Sequence, residues 1–87
     1  MADLLEVRAR THGDYEVQAV LSQRIKDIMR SSPNWDSMPD TMCDGLEMIA
    51  VKISRMCCGD FSEIDHPKDV AGYASLILKS LQKSDAN

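Results

Sequence analysis

Residues 37–59 read SMPDTMCDGLEMIAVKISRMCCG, and this stretch decides what kind of fold the chain builds. Ser37-x-x-Asp40 has the spacing of a capping box, with Pro39 in the first turn, where its missing N–H is harmless. Gly59 supplies the stop. Stepping about 100° per residue from Leu46 gathers Leu46, Ile49, Ala50, Ile53, Met56 and Cys57 into one wide arc. The other side is not simply polar. Met48, Val51 and Cys58 stand there beside Glu47, Lys52 and Arg55. A helix that is apolar over most of its circumference is central or touches two layers. In a chain of 87 residues the second layer is expected to be another subunit, with Met48, Val51, Cys58 and the lone Trp35 at the interface.

The flanking sequence repeats the helical pattern. Asp14 has the character of an N-cap for a helix over 15–30. Val17, Val20, Leu21, Ile25, Ile28 and Met29 recur there at three- and four-residue steps, the spacing of an apolar stripe. Ser31-Ser32-Pro33-Asn34 ends that helix. After the acidic loop 59–66, Asp65 or His66 is expected to cap a helix over 67–83, with Pro67 in its first turn. Its stripe is Val70, Tyr73, Ala74, Ile77, Leu78 and Leu81. Gly72, inside it, marks either a close approach of another group or a tolerated glycine. A short helix over 2–10, with Leu4, Leu5 and Ala9 on one face, is expected to close at a left-handed Gly13. The whole chain, 1–87, thus reads as one all-α domain, a hairpin or bundle of three to four helices completed by oligomerisation. Residues 1–12 form the short helix and turn, 14–83 the helical core and 84–87 a frayed tail.

Composition agrees. Hydrophobic residues are 44% and charged residues 28%, ordinary values for a folded chain. Aromatics are only 5%, with four glycines and three prolines, too few for a β-sandwich or barrel. No apolar run approaches the ~20 residues of a membrane span. Asp3 and Glu6 interrupt any early apolar stretch, so no signal peptide is expected and the expected compartment is the cytoplasm. Ten Lys and Arg against fourteen Asp and Glu give a net charge of −4, which disfavours duplex DNA and membrane surfaces as ligands. Cys43, Cys57 and Cys58 are odd in number and lack a C-x-x-C pair, so they read as small hydrophobes in a reducing compartment rather than as a disulfide framework or a zinc site.

No phosphate loop or nucleophile elbow is present. His12 and His66 both lie at helix boundaries and read as caps or solvated residues. Asp40, Asp44 and Glu47 line one helix flank, and Asp65 and Asp69 begin the next helix. Facing each other, such flanks offer oxygen ligands to Mg²⁺; otherwise Asp40 and Asp69 favour the helix dipole and the rest are solvated. Lys52 and Arg55, three apart, are expected to pair with Asp65 or Asp69 across a hairpin, with phosphate binding as the alternative role.

Residues 11–78 resemble a family of small all-α proteins of tailed phages and prophages. Gly13-Asp14, then Lys52-Ile53-x-Arg55, then Asp65 with Asp69-Val70-Ala71-Gly72-Tyr73-Ala74 carry the likeness. The family pattern is itself reminiscent of MazG-like all-α nucleoside triphosphate pyrophosphatases. Those enzymes hold Mg²⁺ with an E-x-x-E pair and a later E-x-x-D pair. Asp44-x-x-Glu47 imitates the first pair, whereas Asp65 and Asp69 are four apart where the second would be. Two functional expectations follow. Small size, the net charge of −4, the incomplete metal constellation and the lack of a nucleophile point to a non-enzymatic phage-type accessory protein without a cofactor, a homodimer or higher oligomer that binds a host protein, for example a counter-defence inhibitor of a CRISPR effector. The other, implied by the resemblance, is a nucleotide pyrophosphatase or nucleotide-binding oligomer, with Mg²⁺ on Asp44, Glu47, Asp65 and Asp69 and phosphates on Lys52, Arg55 and Tyr73.

Overall fold

A computed structural model describes residues 4–85. The helices are α1 (Leu4–His12), α2 (Tyr15–Arg30), α3 (Asp40–Cys58) and α4 (Asp65–Asp85), with a 3-10 turn at Trp35–Ser37 before α3. No strand occurs among the described residues, so the fold is all-α with four helices. Ser84 and Asp85 continue α4 rather than beginning a frayed tail. Residues 86–87 of that expected tail, and the expected first turn of α1 before Leu4, lie outside the described residues.

Local chemistry sets most of the boundaries. The Asp14 carboxylate accepts the N–H groups of Glu16 (3.0 Å) and Val17 (3.2 Å), two of the donors a helix start leaves without partners. Gly13 has φ 85°, a left-handed stop that suits glycine. The start of α3 differs from the expected capping box. Pro39 is the N-cap residue, and no side chain caps the helix. Ser37 falls too early, because its N–H and that of Met38 are held by Asn34 O in the preceding turn.

α3 and α4 form an antiparallel hairpin. The hydroxyls of Thr41 and Ser80 meet at 3.0 Å, Ile77 packs over Gly45, and Lys52 reaches Asp69 at 3.1 Å. A Cβ at Gly45 would stand 2.8 Å from the Ile77 side chain, so this close approach depends on the glycine. α2 runs antiparallel along another side of α3. Gln18 Nε2 donates to Ser54 Oγ at 2.7 Å near one end, and Arg30 Nε donates to Glu47 at 2.8 Å near the other. α1 leans on α2 and α3. The two-sided apolar surface of α3 therefore finds both of its layers within the chain.

The interior is thin. Ala50, 1% exposed, is the one fully buried hydrophobic side chain among the described residues, while Gln18, Ser22, Lys52, Ser54 and His66 are buried polar ones. The helices are also turned relative to their apolar stripes. On α2 the buried seam is Gln18 and Ser22, whereas Val17 and Ile28 are 60% and 73% exposed. On α3, Ile53 and Cys57 leave the expected arc for solvent. On α4, Val70, Tyr73 and Ile77 are half-buried, but Ala74, Leu78 and Leu81 are exposed. The cause is the specific contact at each crossing: the Gln18–Ser54 bond and the Lys52–Asp69 pair fix the helix rotation, and those residues are not on the most apolar faces.

The molecule measures 52 × 25 × 18 Å with a radius of gyration of 15.0 Å. A compact chain of this length would have about 12 Å. Among the described residues no helix is long and apolar enough to cross a membrane.

Candidate functional site

The polar residues converge where the α1–α2 turn, the end of α3 and the start of α4 meet. Two glycines permit the meeting. A Cβ on Gly13 would run into the backbone carbonyl of Cys58, and one on Gly59 would stand 2.6 Å from Gly13 N and also strike the Thr11 carbonyl. The turns thus pack backbone against backbone, and Asp60 N–H donates to Thr11 O at 3.2 Å.

His66 uses the same carbonyl. It is 2% exposed, and its Nε2 lies 2.9 Å from Thr11 O. A carbonyl only accepts, so Nε2 carries the proton. This bond serves one of the carbonyls that the end of α1 leaves without a helical partner. His66 is therefore a buried tie between α4 and α1, not a cap or a solvated residue. The His12 ring sits 5.2 Å from the His66 ring, tilted by 53°. Burial pushes the His12 pKa below its ordinary value of 6.5, and the positive charge of Arg55, then of His66, Lys52 and Arg8, adds to the shift.

Lys52 and Asp69 form the ion pair that their spacing suggests. Lys52 is buried and Asp69 half-buried. Arg55 differs. Among the described residues no carboxylate lies within ion-pair distance of it, and its buried Nε–H has no acceptor. Arg55 lines a pocket of about 630 Å³ together with Arg8, His12, Leu5, Ala9 and Tyr15. That volume falls within the range of small-ligand sites.

The expected metal ligands are not brought together. Glu47 is held by Arg30 and Asp69 by Lys52, while Asp44 and Asp65 are exposed. No group of three or more His, Cys, Asp or Glu side chains among the described residues is placed to hold a metal ion. Of the expected phosphate ligands only Arg55 reaches the pocket. Lys52 is committed to Asp69, and Tyr73 lines a shallow groove with Lys68, Gly72 and Leu76. The pocket residues Arg8, His12 and Tyr15 were not singled out by spacing. The signal available for them was the density of basic residues over 8–12, but only the fold carries these beside Arg55.

The expected interface residues Met48, Val51, Cys58 and Trp35 are all half-buried. Cys58 borders a groove with Val17, Val20 and Leu21 of α2, so an open apolar surface runs along α2, while Ile53 on α3 and Leu76, Leu78 and Leu81 on α4 are exposed as well. Cys43, Cys57 and Cys58 are all free thiols. In comparisons with protein families, curated proteins and solved structures, nothing matches this chain at a significant level.

Proposed function

We propose that the chain is a protein-binding module that works as a homodimer, a small acidic accessory protein of the phage type that acts on a host protein. The observation that carries this reading is the outward face of α2, where Val17, Val20 and Ile28 are exposed and Val17 and Val20 border the groove beside Cys58. The accessible surface is 6389 Å², about a quarter above the roughly 5,100 Å² of a compact chain of 9.7 kDa. The excess exceeds the ~800 Å² that each partner of a standard interface removes from water. A second copy seated on α2 would bury such an area and supply the apolar interior that one chain lacks.

The acidic balance and the absence, among the described residues, of an assembled metal cluster support a binding role over hydrolysis. The likeness of residues 11–78 to phage proteins supplies the setting, in which an acidic surface competes with nucleic acid for a host effector.

Light scattering across a concentration series tests the dimer. The expected mass is twice 9.7 kDa, and the double variant Val17→Asp/Val20→Asp should fall to a single chain with its helical circular dichroism intact. A wild-type mass of one chain at every concentration would overturn the reading. In cells carrying a defence system, the wild-type chain should raise phage plating efficiency and the double variant should not.

A further inference from the structure

We propose that the pocket between α1, the start of α2 and the end of α3 binds a small organic phosphate. Arg55, Arg8 and His12 would hold the phosphate, and Leu5, Ala9 and Tyr15 the organic group. The pocket is separate from the dimer face on α2, and the proposal goes beyond the binding role given above.

The argument begins with charge. The chain carries a net −4, yet Arg8, His12, Lys52, Arg55 and His66 gather at one junction. Of the permanently charged members, Lys52 has a carboxylate partner, while Arg8 and Arg55 have none within ion-pair distance among the described residues. Had the cluster served the fold alone, Arg55 would be expected to hold an acid as Lys52 does. Instead its buried Nε–H has no acceptor within the protein among the described residues. A buried donor in that state is unfavourable, and an arriving acceptor removes the penalty. A planar guanidinium also presents paired N–H groups that match two oxygens of a phosphate.

The second part of the argument is the shape of the site. Arg8 lies one helical turn before His12 on α1, so the two share one face of that helix. Arg55 approaches from α3, so cations reach the pocket from two elements. The remaining wall is apolar. Leu5 and Tyr15 are exposed at 75% and 79% and offer uncommitted aliphatic and aromatic surface beside the cations. Inorganic phosphate would use one wall and leave the other wet. A phosphate ester with an aromatic or aliphatic group would use both. Gln18 also lines the pocket, and its amide nitrogen is already committed to Ser54, so its amide oxygen remains as an acceptor for a donor on the ligand.

The test is an NMR titration of the full chain with phenyl phosphate, inorganic phosphate and benzoate at constant ionic strength. The Arg55 Nε–H and the His12 and His66 ring signals are followed. The buried Nε–H is a specific reporter, because it shifts only if an acceptor reaches it or its environment changes. Phenyl phosphate should give saturable shifts in both reporters and bind about fivefold or more tightly than inorganic phosphate, through the apolar wall. Arg55→Gln should weaken binding by about tenfold or more, and Arg55→Lys by less, since it keeps charge but loses the fork. Arg8→Gln, at an exposed position, provides the same test if Arg55 variants fail to fold. Lys79→Gln, on α4, should leave the affinity unchanged.

Shifts that grow linearly without saturation, or equal binding by wild type and Arg8→Gln, would overturn the proposal. Tighter binding of benzoate than of phenyl phosphate would replace a phosphate site with a carboxylate site and also overturn it. The light-scattering mass is recorded in the same samples, so loss of the dimer and loss of the ligand are read separately.

Discussion

The junction around His66 and the outer face of α2 are opposites. At the junction the buried groups are polar or charged, and the backbones of two turns touch through Gly13 and Gly59. On α2 the apolar side chains Val17, Val20 and Ile28 face water, while Gln18 and Ser22 are inside. The difference teaches that burial in this chain follows directional contacts rather than hydrophobicity alone. The Gln18–Ser54 bond, the Lys52–Asp69 pair and the His66–Thr11 bond each have one satisfactory geometry. Apolar contact is tolerant of rotation, so the apolar faces go where these contacts leave them.

The two regions should therefore fail in different ways. The largest effect is expected from Gly59→Ala, whose added Cβ meets the Thr11 carbonyl and Gly13 N. Overpacking against backbone should cost about 3 kcal/mol and lower the Tm by roughly 15 °C in a thermal scan. Val17→Asp/Val20→Asp should instead change the mass in solution while the junction's histidine signals stay in place. If both variants lost mass and fold together, the two regions would be one cooperative unit and the contrast would fail.

Asp69→Asn should rank next. It leaves Lys52, a residue 8% exposed, without its anion. Removing one partner of a buried pair costs 3–5 kcal/mol, and the half-exposed Asp69 brings this to about 2 kcal/mol in urea titration. A cost near zero would show that water already screens the pair.

Gly72→Ala sharpens the comparison from the opposite direction. A Cβ at Gly72 meets nothing within 4 Å, and the position is inside α4. The substitution should stabilise the chain by about 0.5–1 kcal/mol through helix propensity. A loss of stability or of dimer mass would show that a partner helix packs on Gly72, and would move the interface from α2 to α4.

The smallest effect is expected from His12. Its folded pKa lies below 6.5, so as the pH falls through about 6.5 the unfolded chain takes up a proton first and stability declines. Above that pH the residue is neutral in both states and contributes no slope. The Tm should drop modestly between about pH 7.5 and 5.5, and His12→Gln should flatten that drop. Asp60, held below its ordinary 3.8 by hydrogen bonds from Ser62, enters only at lower pH.

Much of the architecture was legible. Asp14 as a cap and Gly13 as a left-handed stop needed only their own chemistry, because capping and left-handed turns are local. Lys52 with Asp69 was legible from the spacing of charges across a hairpin. The role of His66 was not, because its partner is 55 residues away in the chain. Gly45 was passed over and Gly72 singled out, since a one-dimensional pattern does not show which glycine faces a neighbouring helix. The four carboxylates looked like a metal set because helical spacing gathers residues within one helix, whereas assembly depends on how two helices are rotated.

The sequence by itself determined the helical segments, the Asp14 cap and the Gly13 stop, since hydrogen bonding and steric preference act over a few residues. Only the tertiary structure decided which faces turn inward, that Arg55 stands without an acid beside Arg8 and His12, and that α2 leaves its valines in water. The reason is that helix rotation is set by a few long-range, directional contacts, and their partners are far apart in the chain.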